Sequence, residues 1–75
     1  MTIEHLNKAG TIVDGCYARV AGMLTALTAL QVESQNSWER DRLHYTLCNL
    51  NKVLVNLGDL KDRLEDELNA TSKKI

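Results

Sequence analysis

The sequence predicts an all-α fold, an antiparallel two-helix hairpin that dimerises into a four-helix bundle. Two observations predict the hairpin: apolar residues recur in each half of the chain at alternating spacings of three and four, and a short polar run separates the halves. Such spacing is the a/d pattern of helices that pack along one seam. A third observation predicts the dimer: residues 9–32 carry only two charged side chains, Asp14 and Arg19.

The first helix is predicted over residues 3–33. Its seam consists of Leu6, Ala9, Val13, Cys16, Val20, Met23, Leu27 and Leu30. Three glycines interrupt this half, and each costs about 1 kcal/mol relative to alanine in a helix. A start near Thr11, or a bend between Gly10 and Gly15, therefore stays an alternative. The chain contains no proline, so nothing forces a sharp break.

A turn is predicted at residues 34–36 and a second helix over residues 37–69, so that residues 1–75 form a single domain. Asn36 followed by Glu39 fits a capping box, and Ser37 is the other candidate cap. The seam of this helix consists of Leu43, Leu47, Leu50, Leu54, Leu57, Lys61, Leu64 and Leu68. Residues 70–75 are predicted to fray.

The two seams match across the turn when its centre lies at residue 35. In this register Leu27 meets Leu43, and the one polar seam residue, Lys61, lies opposite Ala9. A small partner leaves room for the lysine stem to lie along the seam with its ammonium in water. The two cysteines, at positions 16 and 48, are then about 9 Å apart along the axis. They are predicted to stay unpaired.

The dimer is predicted because two helices alone bury too little apolar area to offset the entropy of ordering the chain. Tyr17 and Leu24 widen the apolar face of the first helix, and Val53 and Leu60 widen that of the second. The back of the first helix offers small residues that allow close helix approach: Ala18, Ala21, Gly22, Thr25 and Ala29. A second copy is the simplest cover for this face. Docking of the first helix on a different protein is the alternative.

The composition and the spacing of the His and Cys residues argue against several classes of function. A formal net charge of -1 argues against binding driven by phosphate neutralisation. His44 and Cys48 are the only His/Cys pair at helical spacing, which is too few ligands for a zinc site and a weak basis for a thiol enzyme. We therefore expect no metal, no cofactor and no enzymatic activity. The sequence shows neither a signal peptide nor a membrane span, which predicts a cytoplasmic protein.

The outer face of the second helix is the predicted site for a protein partner, with the chain acting as a regulator, inhibitor, adaptor or small chaperone. Tryptophan and tyrosine are enriched at binding hot spots. The candidate residues are Trp38, Arg40, Arg42, Tyr45, Asn49 and Val55. The alternative for Trp38 is that it folds over the turn and caps the core against Leu30 or Val32.

A nucleic-acid-associated bundle is the other function considered. The predicted outline is similar in shape to that of the plasmid protein Rop, although the two share no sequence motif. Arg40, Arg42 and Lys52 form a modest basic cluster. Glu39 and Asp41 interleave with it, which favours a solvated face of mixed charge over a nucleic-acid site.

Overall fold

A computed structural model of the chain describes residues 2–73, and it contains two helices, α1 (Ile3–Glu33) and α2 (Ser37–Lys73). The helices pack against each other as a hairpin joined by residues 34–36. The prediction of an all-helical hairpin is thus confirmed. The Cα trace measures 58 × 14 × 13 Å, as expected for a single pair of long helices side by side.

Helix α1 is continuous from Ile3, so the alternative start near Thr11 is wrong. Thr2 is the N-cap, and its side chain accepts a hydrogen bond of 3.1 Å from the backbone N–H of His5. Such a cap satisfies a free donor of the first turn and stabilises a helix by about 1 kcal/mol. This cap and the absence of proline let the helix run through its glycines.

The turn is tied to both helices by side chains. Gln31 Nε2 donates to the backbone oxygen of Arg40 at 3.3 Å, which joins the last turn of α1 to the first turn of α2. Ser34 Oγ lies 2.8 Å from Glu39 Oε1. The carboxylate of Glu39 therefore contacts the turn, and the capping box predicted between Asn36 and Glu39 is replaced by this contact. Asn36 still occupies the N-cap position, because its carbonyl accepts from the Arg40 N–H at 3.1 Å.

The end of α2 differs from the prediction. The sequence predicts a frayed tail over residues 70–75, whereas α2 continues to Lys73. No glycine or proline follows Gly58, and a basic residue in the last turn complements the negative end of the helix dipole. Residues 74 and 75 lie outside the part of the chain that the structure describes.

The core is thin and lies mostly on α1. Leu6, Val13 and Val20 are buried, and all three belong to the predicted seam. Within Ser37–Lys73 no residue is buried, and the seam leucines of α2 are half-buried. The hairpin therefore leaves its longest leucine row partly in water.

Two predicted seam residues of α1 lie outside the contact. Met23 and Leu30 are exposed, while Leu24 and Gln31 are half-buried. A strict seven-residue repeat drifts by about 20° per heptad around a straight helix. Over the three heptads that follow the start of the seam, this drift carries Met23 and Leu30 out of the contact and moves their neighbours into it.

Lys61 makes contacts that the sequence does not predict. Lys61 reaches Asp14 and the ring of Tyr17, residues that lie further along α1. Long side chains on a helix lean toward its N-terminus. In an antiparallel pair, the side chains of the two helices therefore lean in opposite directions along the axis. Two long side chains can then meet although their Cα atoms lie several residues apart along that axis.

Candidate interaction surfaces

An aromatic patch lies on the outer face of α2 near the turn. Trp38 is 67% exposed and Tyr45 is 72% exposed, and they line a shallow groove with Asp41 and Arg42. Positions three, four and seven apart share one face of a helix, which brings these four side chains together. We call this group the aromatic patch.

Trp38 does not cap the core. Its own exposure, together with exposed Leu30 and Val32, shows that the indole stays on the outside of α2 instead of folding over the turn. An exposed pair of large aromatic side chains is uncommon on a surface that faces only water. The patch is therefore the part of the predicted partner face that the structure brings together.

The other residues of the predicted partner face are spread around α2. Asn49 continues the row of the aromatic patch, one turn beyond Tyr45. Arg40 and Val55 are exposed but lie on other faces of the helix. Asp41 belongs to the groove although it is absent from the predicted set. Its spacing of three after Trp38 places it on the same helix face as the indole.

A thiol and an imidazole meet on α2. Cys48 Sγ lies 3.7 Å from His44 Nε2, and both side chains are exposed. Both cysteines of the chain are free, Cys16 being half-buried. Among residues 2–73 no three His, Cys, Asp or Glu side chains are grouped so that they could hold a metal ion. The contact is a single pair on an open surface.

The small-residue face of α1 is open. Ala18, Gly22, Thr25 and Ala29 are exposed, and Ala21 is half-buried. Apart from its chain neighbours and the backbone of its own helix turns, a Cβ added at Gly22 would meet no atom within 4 Å. The Thr25 hydroxyl donates to the backbone oxygen of Ala21 at 3.1 Å, so its polar group is satisfied within the helix. This face presents little side-chain area, because its residues are small.

One broad side of the hairpin carries an ion pair between the helices, and we call it the polar side. Lys61 Nζ lies 3.1 Å from Asp14 Oδ1 and 5.8 Å from the centroid of the Tyr17 ring. The hydrogen bond and the charge of Asp14 raise the pKa of Lys61 above its usual value of 10.5. Both members of the pair are about half exposed, so water screens the interaction and its contribution to stability is small.

The opposite broad side is apolar, and we call it the apolar side. Its five large side chains are 44% to 57% exposed: Ile12, Met23, Leu30, Val53 and Leu60. At about 100° per residue, the three from α1 lie on the flank of its seam away from Asp14, and the two from α2 lie on the flank away from Gly58. Asp14 contacts Lys61, and Gly58 approaches the Tyr17 ring, on the polar side. The two apolar flanks therefore share the other side of the antiparallel pair.

No helix within residues 2–73 has both the length and the apolar character that a membrane span requires. In comparisons with protein-family models, curated proteins and solved structures, nothing matches this chain. The surfaces described above are thus the observations from which a function can be proposed.

Proposed function

We propose that this chain is a small non-enzymatic interaction protein that acts as a regulator, inhibitor or adaptor by binding another protein. It works as a homodimeric four-helix bundle, in which the aromatic patch remains available to the partner. The proposal locates the protein in the cytoplasm, where reducing conditions keep thiols such as Cys16 and Cys48 free.

The aromatic patch is the observation that carries this proposal. Trp38 and Tyr45 expose most of their area, and the charged side chains of Asp41 and Arg42 line the groove with them. A central pair of aromatic residues with polar neighbours is the composition of a protein-binding hot spot. Arg42 lies on the same helix face as Leu60, so the patch borders the apolar side, while Trp38 and Tyr45 lie further around α2 and closer to the turn than Val53 and Leu60.

The alternative of a nucleic-acid-associated bundle gains no support. Arg40 and Arg42 are two positions apart on α2, so their side chains point about 160° away from each other around the helix. Glu39 and Asp41 alternate with them, and the chain has a formal net charge of -1. A cationic stripe that could follow a phosphate backbone does not form from these residues.

A capture experiment tests the proposal. The tagged wild-type chain and the Trp38→Ala and Tyr45→Ala variants are compared as baits in extract of the source cells, with Val55→Ala as the matched control on another exposed face. We expect a partner protein that the wild type and Val55→Ala retain and that both aromatic variants lose. Loss of one aromatic anchor lowers affinity by about 2 kcal/mol or more, which is about thirtyfold.

Two results would contradict the proposal. One is that every protein retained by the wild type is retained equally by the aromatic variants. The other is that the retained material is RNA or DNA whose affinity falls steeply with rising salt, which is the behaviour of binding through phosphate contacts.

A further inference from the structure

We infer that the apolar side is the surface through which a second copy of this chain packs to complete a four-helix bundle, and that the small-residue face of α1 stays outside. The inference rests on the dimer in the proposed function, and it names the interface.

The apolar side extends the contact that already holds the hairpin. Met23 and Leu30 flank the seam of α1, and Val53 and Leu60 flank the seam of α2. Each helix of a four-helix bundle needs a wider apolar stripe than a simple helix pair, because it contacts two neighbours. Both helices carry this wider stripe on the same side of the hairpin.

The half-buried leucines of α2 point to the same arrangement. Leu50, Leu54 and Leu57 lie in the seam, yet none of them is buried by α1 alone. A hairpin stacked on the apolar side would cover the seam from above and exclude water from these leucines. A partner on the small-residue face would contact the far surface of α1 and leave α2 unchanged.

The exposed area of the hairpin matches what a stable dimer requires. One chain exposes 5831 Å², whereas a compact protein of 8.4 kDa exposes about 4,600 Å². Two separate hairpins expose about 11,700 Å² (twice the single-chain value), and a compact protein of twice the mass exposes about 7,700 Å². The difference of about 4,000 Å² lies in the range that obligate homodimers bury.

The two broad sides differ in the kind of charged residue that they carry. The polar side carries the pair of Asp14 and Lys61, whose charges would lose water if a second copy covered them. The five large residues of the apolar side carry no charge, but two arginines lie in their rows, Arg19 between Ile12 and Met23 on α1 and Arg42 on the face of Leu60 on α2. An arginine at a rim can keep its guanidinium in water while its stem packs against apolar neighbours.

Substitutions on the competing faces test the inference. Met23→Lys and Leu60→Lys each place an unpaired charge on the apolar side. Val55→Lys places the same charge on an exposed position elsewhere on α2, and Gly22→Leu fills the small-residue face. Sedimentation equilibrium gives the dissociation constant of each dimer, and circular dichroism gives its helix content.

We expect a wild-type dimer that Met23→Lys and Leu60→Lys weaken on the order of 100-fold, because an unpaired charge is buried in each protomer. Val55→Lys and Gly22→Leu should stay within about threefold of the wild type. A wild type that is monomeric at every concentration overturns the inference, while the aromatic patch is judged by its own capture experiment. A dimer that Gly22→Leu weakens and the lysine variants leave intact overturns it too, because the small-residue face would then be the interface.

A second measurement uses the unaltered chain, since the lysine variants can lose helix together with the dimer. Isotope-filtered nuclear Overhauser spectra of mixed labelled and unlabelled chains report contacts between protomers only. We expect such contacts at the methyl groups of Met23, Val53 and Leu60, and none at those of Ala18 and Ala29. Contacts at the two alanines with none at the apolar side would contradict the inference.

Discussion

The two broad sides of the hairpin differ in the residues that flank its seam. On the polar side, Lys61 and Asp14 close the edge with an ion pair beside the Tyr17 ring. On the apolar side, the edge continues into large side chains that are about half exposed, such as Met23 and Leu60. A solvated ion pair is compatible with permanent exposure to water, whereas an extended apolar surface on a small protein is typical of an interface.

This difference matches a core that the hairpin alone leaves incomplete on its apolar side. Among residues 2–73, only Leu6, Val13 and Val20 are buried by the packing of α1 on α2. Stability is the small surplus of burial over conformational entropy, and a chain of this size has little apolar area to spare. Covering the apolar side would raise burial where the hairpin alone leaves it incomplete, whereas covering the polar side would remove water from the pair of Asp14 and Lys61.

The largest expected effect comes from a charge in the seam that both sides share. Val20→Asp should unfold the chain, because an unpaired buried carboxylate costs several kcal/mol. Val55→Asp is the matched control at an exposed position, with an expected change within about 0.5 kcal/mol. Far-UV circular dichroism with thermal denaturation measures both variants. A Val20→Asp variant that melts at the wild-type temperature would refute the seam.

The next effect separates the apolar side from the ordinary surface. Leu60→Ala should destabilise the assembled protein by about 2 kcal/mol, since a leucine buried against a second copy loses its packing. Val55→Ala should change stability by no more than about 0.5 kcal/mol, although it also removes exposed apolar atoms. Urea denaturation at one fixed protein concentration compares them. Equal and small changes in the two variants would mean that Leu60 faces water.

A stabilising substitution examines the small-residue face of α1. Gly22→Ala should raise stability by about 1 kcal/mol, because alanine is the better helix former and the added methyl meets open space. Gly58→Ala is the comparison within α2, where the added methyl would make an ordinary contact of 3.7 Å with the Tyr17 ring. A destabilising Gly22→Ala would show that another helix approaches this face closely.

The smallest effect concerns the polar side and its dependence on pH. The folded state raises the pKa of Lys61 above 10.5, so it binds that proton more tightly than the unfolded state. The resulting stabilisation is fully present below pH 10.5 and is lost as the pH rises through the raised pKa. The melting temperature of the wild type should therefore exceed that of Asp14→Asn at neutral pH by a small margin that shrinks in strongly alkaline solution.

Salt provides the control for this pair. Because both side chains are exposed to water, high ionic strength at neutral pH should remove much of the difference between the wild type and Asp14→Asn. A difference that persists unchanged in high salt and above pH 10.5 would mean that Asp14 stabilises the fold by something other than its charge.

The sequence predicts the helices well and their surfaces only in part. The bounds of α1 and the start of α2 follow from the polar run and the heptad spacing, which are local signals. Met23 and Leu30 are assigned to the wrong face because their distance from the seam depends on how strongly the helices supercoil, which residue spacing does not fix. The partner of Lys61 is missed because the direction in which a long side chain leans appears only in three dimensions.

The candidate surfaces, like the fold, are predicted from the sequence only in part. Trp38 and Tyr45 are seven residues apart and are recognised as one surface from the sequence. Whether Trp38 covers the core or stays outside depends on the geometry of the turn, which the contact of Ser34 with Glu39 helps to fix. The apolar side is not predicted as one surface, because its two halves come from different helices. Val53 and Leu60 alone indicate a widened apolar face on α2.

The solution mass of the unaltered chain, measured by sedimentation equilibrium over a wide concentration range, tests the central claim most directly. If the apolar side binds a second copy, the mass should be twice 8.4 kDa and fall toward that single-chain value only at high dilution. A mass of 8.4 kDa at every concentration would contradict the account, because the apolar side would then be exposed to water in the free protein.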